Sequence, residues 1–66
     1  MNIYVNGETK TVPEGFTAEQ LVESLALTGR RLAMEVNQEI VPRSTFASHV
    51  FHPNDAIEIV HAVGGG

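Results

Sequence analysis

Cysteine and tryptophan are both absent from the 66 residues. Without cysteine there is no disulfide staple, no thiolate nucleophile and no thiolate metal site. Small secreted domains ordinarily need such staples, so a chain held by its core alone suits a reducing compartment, and a cytoplasmic location is expected. Positive charge is also scarce: four Lys and Arg stand against eight Asp and Glu, a formal net charge of -4. That deficit counts against nucleic acid as a partner, because phosphates are held by Lys and Arg. An acidic surface keeps a protein soluble and can dock on a basic one; charge alone does not separate the two. No apolar run approaches the roughly 20 residues of a membrane-spanning helix, and the opening MNIYVNGETK lacks a signal-peptide pattern. Neither a G-x-x-x-x-G-K-[ST] phosphate loop nor a recognisable Ser/His/Asp set is present. A chain this short builds one domain and has little room for a deep catalytic cleft. A module that serves a larger partner, with no cofactor or metal of its own, is therefore expected in preference to an enzyme.

What is present reads as an α+β domain. Met1, Ile3 and Val5 alternate with polar residues, Asn6-Gly7 suits a tight hairpin turn, and Thr9 to Val12 suit a returning strand ended by Pro13. Thr17 and Gln20 form a capping box, with Phe16 placed to staple onto Leu21. Ala18, Leu21, Val22 and Leu25 then recur as one apolar stripe, and Gly29 offers a left-handed stop, so a helix is predicted over about 18–28. Leu32, Met34 and Val36 predict a third strand, Asn37-Gln38-Glu39 a turn, and Ile40-Val41 a short strand ended by Pro42. Ser44 is a candidate cap for a helical turn carrying Phe46 inward. Pro53-Asn54-Asp55 marks another turn, and Ala56 to His61 the last strand, with Ile57 and Ile59 on one face. Strand–strand–helix–strand–strand–strand implies one helix across one face of a small sheet, whose other face stays open to partners.

The chain then closes on HAVGGG. Residues 1–62 are expected to form the domain and 63–66 a flexible glycine tail. A terminal carboxylate titrates near about 3.3–3.7 and is ionised at neutral pH, so it can attack the α-phosphorus of ATP. Glycine lacks Cβ, which lets backbone enter a narrow channel and approach a reactive site closely.

The Gly65-Gly66 ending, the element order and the length together resemble the ubiquitin-like β-grasp proteins. More narrowly, VNQEIVPRSTF (Val36 to Phe46), the opening NIYVNGE and the segment LVESLAL are similar to the sulfur carriers of thiamin biosynthesis, the ThiS family. The resemblance covers essentially the whole chain; Gly64 departs from it, standing where a small residue such as alanine is frequent. It implies a small mixed sheet with one helix packed across it and a tail whose Gly66 carboxylate is the reacting group. The implied partners are a ubiquitin-activating-type adenylyltransferase (ThiF), which uses ATP, a sulfur-donating enzyme, and thiazole synthase (ThiG), which takes sulfur from the resulting thiocarboxylate. No residue of the chain would then be catalytic. The alternatives are a small subunit of the molybdopterin synthase type, a ubiquitin-like protein modifier, and a plain interaction domain.

Partner-binding residues are expected at Gly64, Gly65 and Gly66, and on the uncovered sheet face at Tyr4 and Val60, beside Glu58. His49 and His52 form H-x-x-H, which two ligands alone do not make a metal site; were they on a strand they would point to opposite faces. His61 precedes the tail and reads as a solvated strand residue or a partner contact. Arg30-Arg31, after the predicted helix end, would complement its dipole.

Overall fold

The computed structural model describes residues 1–61. Two hairpins and one helix surround a last strand: β1 (Asn2–Val5), β2 (Glu8–Thr11), α1 (Ala18–Ser24), β3 (Leu32–Val36), β4 (Glu39–Val41) and β5 (Ala56–His61). A single 3₁₀ turn, Arg43–Thr45, follows β4. The five strands form one mixed sheet in the order β2-β1-β5-β3-β4, with β5 parallel to β1 and antiparallel to β3. The strand made last in sequence thus lies in the middle. Ile57 and Ile59 from β5 meet Ile3, Val5, Met34, Val36 and Val41 on one face, and Ala18, Leu21 and Val22 of α1 complete that core with Phe46 and Phe51.

Both hairpins close through two-residue turns that need positive φ. Asn6 and Gly7 adopt φ of 51° and 83°, and Asn37 and Gln38 adopt 52° and 71°. The second turn is therefore one residue shorter than the Asn37-Gln38-Glu39 reading, since Glu39 already pairs with Val36. Asparagine tolerates this left-handed region better than most residues because its short polar side chain finds local or tertiary partners.

The helix begins where the sequence placed it. Thr17 Oγ1 accepts from Gln20 N–H at 3.2 Å and Gln20 Oε1 accepts from Thr17 N–H at 2.9 Å, so the capping box is formed. The first two helical amides are satisfied from afar: Ala18 N–H donates to His49 O and Glu19 N–H to Phe46 O. The helix end differs from the predicted 18–28. It stops at Ser24, because Ala26 turns left-handed at φ 58°. Leu27 N–H then bonds Val22 O and Ala26 N–H bonds Glu23 O, a Schellman closure that folds Leu27 back toward the core. Leu25, assigned to the apolar stripe, is the cap residue and is exposed. Gly29 does have positive φ, but in the following loop, and Arg30-Arg31 lie too far beyond Ser24 to complement the dipole, whose last turn holds no basic residue. Ser44 is not a cap either: Pro42 precedes the 3₁₀ turn, and Thr45 Oγ1 donates to Pro42 O at 2.8 Å. Phe46 is buried as expected.

A left-handed conformation costs a residue with Cβ about 1–2 kcal/mol, partly offset by the lower unfolded-state entropy of alanine relative to glycine. Ala26→Gly is accordingly expected to raise the unfolding free energy by about 0.5–1 kcal/mol in urea titration, with an unchanged denaturant slope.

Candidate functional site

The chain's chemistry was expected at its C-terminal glycines. Gly64, Gly65 and Gly66 lie outside the described residues, as does the boundary expected at residue 62. The described structure defines their root. β5 is paired with β3 from Ile57 onward, ending in the pair Leu32↔His61. His61 is exposed on that last pair.

The second expected element is the sheet face away from α1. Residues paired across strands share a face, so the register assigns them directly. Tyr4 pairs with Ala56, Ala33 with Val60, Glu35 with Glu58 and Ile40 with Glu35, whereas the intervening Ile3, Val5, Met34, Val36, Val41, Ile57 and Ile59 belong to the core side. Tyr4, Glu58 and Val60 therefore share the uncovered face, with Tyr4 39% and Val60 58% exposed. The sequence reading missed Ile40, which is 68% exposed on the same face, and Glu35, which lies directly opposite Glu58. Glu35 reaches Glu58 only through the β3–β5 pairing and Ile40 reaches this face only through the β3–β4 pairing, and alternation within one strand carries no signal of a neighbour 23 positions away. Neither glutamate has a salt-bridge partner among the described residues. The face is thus an acidic centre bordered by Tyr4, Val60 and Ile40.

The other candidates share only Ile40 with this face. His49 and His52 lie on the loop before β5, not on a strand, and both line one groove of about 430 Å³ together with Asp55, Val50 and Ile40. His49 packs edge-on to Phe51, with ring centroids 5.6 Å apart. Asp55 is buried, its carboxylate accepting from Asn37 Nδ2 at 2.9 Å and His52 N–H at 2.8 Å. These bonds account for Asp55 as a loop anchor. The groove opens at the start of β5, roughly 16 Å of strand from His61. Among the described residues no group of three or more His, Asp or Glu is placed to hold a metal ion, and no helix is long and apolar enough to cross a membrane.

Like charges directly opposite one another on a sheet are destabilising by some tenths of a kcal/mol. Glu58→Lys is therefore expected to stabilise the isolated domain by about 0.2–1 kcal/mol at low salt, measured by urea unfolding, and most of the gain should vanish in about 1 M salt as screening sets in.

Comparison with known proteins identifies the family. The profile of the ThiS family matches residues 2–66. The chain is 38% identical over its full length to a thiazole synthase of Paramagnetospirillum magneticum, of which it spans only 20%, so it covers about one fifth of that relative. It is 32% identical to the sulfur carrier protein ThiS of Escherichia coli K12, with both chains covered completely. In backbone it is similar to the crystal structure of the thiamine biosynthesis protein ThiS from Geobacter metallireducens, with a TM-score of 0.84, 30% identity and complete coverage of both chains. With the profile, the full-length relative and the backbone in agreement, the fold is the ubiquitin-like β-grasp and the chain belongs to the ThiS family, the small sulfur carriers of thiamine biosynthesis.

Proposed function

We propose that this chain carries sulfur as a thiocarboxylate on Gly66. The observation that carries the reading is the family match, which runs through to the final glycine. A carboxylate oxygen of Gly66 attacks the α-phosphorus of ATP on an adenylating enzyme of the ubiquitin-activating type (ThiF), and pyrophosphate leaves. The terminal sulfur of a donor enzyme's persulfide then attacks the adenylated carbonyl and AMP leaves; a thiol attacks the donor-side sulfur of the resulting acyl disulfide, forms a disulfide with it and releases the thiocarboxylate. Thiazole synthase (ThiG) accepts that sulfur. The chain binds no cofactor in this cycle, acts as co-substrate rather than catalyst, and works in the cytoplasm. Gly64 and Gly65 supply the slim backbone that such enzymes must thread, and ordering it costs on the order of 1–2 kcal/mol per residue, offset by main-chain hydrogen bonds from the enzyme. Support for the synthase as partner comes from the Paramagnetospirillum and Magnetococcus relatives named thiazole synthase, each 38% identical to this chain over a fifth of its length. No comparison favours the molybdopterin-synthase or protein-modifier alternatives.

Removal of Gly66 tests the cycle. The shortened domain is expected to unfold at the same temperature as the full chain but to support no ATP–pyrophosphate exchange with the activating enzyme. Exchange at the full-length rate would refute the carrier reading. On the full-length protein, incubation with ATP, the activating enzyme and a sulfur donor should exchange one oxygen for sulfur, located at Gly66 by fragmentation.

Docking is assigned to the open sheet face, through Tyr4, Val60 and Ile40 around the Glu35–Glu58 pair. Buried apolar anchors dominate interface energies, and a new charge in their midst is costly. Val60→Glu, at a position 58% exposed in the free domain, should weaken binding to the activating enzyme by about tenfold or more while leaving thermal unfolding within a few degrees. Unchanged affinity in a calorimetric titration would move the interface elsewhere.

A further inference from the structure

On its β1 side, β5 has a strand partner only as far as Ile57. The pairs Tyr4↔Ala56 and Val5↔Ile57 end the parallel ladder, and the chain leaves through the Asn6–Gly7 turn. Asn6 N–H still donates to Ile57 O at 2.8 Å. The next rung of a parallel ladder would need a backbone carbonyl at residue 6 to accept from Ile59 N–H, and an N–H at residue 8 to donate to Ile59 O. The Asn6 side chain makes both bonds instead: Oδ1 accepts from Ile59 N–H at 2.8 Å and Nδ2 donates to Ile59 O at 3.2 Å. A primary amide carries the same donor–acceptor pair as a peptide group, so it adds one rung without a strand.

We infer that Asn6 is a positioning residue for the chemistry at Gly66, its amide clamp on Ile59 fixing the direction in which β5 delivers the chain end; this rests on the carrier reading above. Without the clamp, residues 58–61 would be held only from β3, through pairs such as Ala33↔Val60 and Leu32↔His61, and the strand end could pivot about that one ladder. The turn itself does not single out asparagine. At φ 51° glycine or aspartate would serve, but glycine has no amide and aspartate no donor. A reacting carboxylate gains from fixed aim, since small misplacements of a reacting group cost large factors in rate.

The test uses the full chain with Asn6→Gly, which keeps the left-handed turn and removes the clamp, and Asn6→Asp, which keeps the acceptor alone. All are assayed at a temperature where circular dichroism shows them folded. Hydrogen exchange at the Ile59 amide is expected to quicken in Asn6→Gly. In ATP–pyrophosphate exchange with the activating enzyme, kcat should fall about tenfold or more with KM for the carrier within about twofold, because docking through the sheet face is intact while delivery of the carboxylate is not. Asn6→Asp should lie between the two, and it decides by the same split if Asn6→Gly does not fold. An unchanged kcat, or a loss expressed only in KM, overturns the positioning role. If the unaltered chain gives no exchange at all, the carrier reading itself fails and this inference with it.

Discussion

The structure depends on inserting the last strand between two hairpins that are complete without it. β5 closes the sheet by pairing with β1 on one side and β3 on the other, and it brings Ile57 and Ile59 into the centre of the core. The asparagine that opens each hairpin turn also grips this strand. Asn6 bonds Ile59 with both atoms of its amide, while Asn37 accepts from Ala56 N–H through Oδ1 and donates through Nδ2 to Asp55, which anchors the loop entering β5. The left-handed turns and the tertiary clamps are thus one device: positive φ at Asn6 and Asn37 swings each side chain away from its own hairpin and toward the central strand.

That arrangement suits the cycle proposed above, in which the chemistry takes place on a chain end. In that proposed cycle a tail entering another protein's channel has to be slim, while the segment just before it is held so that the reactive group is not dispersed over too large a volume. Here the restraint comes from a seven-residue helix and five short strands without any cross-link. A helix of that length is marginal alone. It persists because its first two amides bond the 46–49 loop and its Ala18, Leu21 and Val22 are buried against the sheet. The helix covers only one side. The face it leaves open carries Tyr4, Val60 and Ile40 around two directly opposed glutamates, the surface proposed above for docking.

Several features were legible in the residues because they are settled by neighbours in sequence. The Asn6-Gly7 turn, the Thr17/Gln20 box, the alternation of β3 and β5 and the break at Pro42 each involve groups a few positions apart, and each lies where the pattern placed it. The helix end was misread for a related reason. Gly29 is the better left-handed residue, but the packing of partly buried Leu27 against the core favours an earlier turn at Ala26, and that preference exists only once the core does. Ser44 lost its capping role in the same way, to a turn set by Pro42 and by Phe46 entering the core.

The sequence by itself therefore determined the fold class, the set of elements and, through the glycine ending and the VNQEIVPRSTF segment, the family. Tertiary structure alone decided which strands are neighbours. Only that placement sets Glu35 against Glu58, adds Ile40 to the open face and joins Asn6 to Ile59 across 53 positions. The physical reason is range: capping and alternation are fixed by bonds that span one turn, whereas strand order is chosen by the burial of the whole apolar face at once, and no local pattern records it.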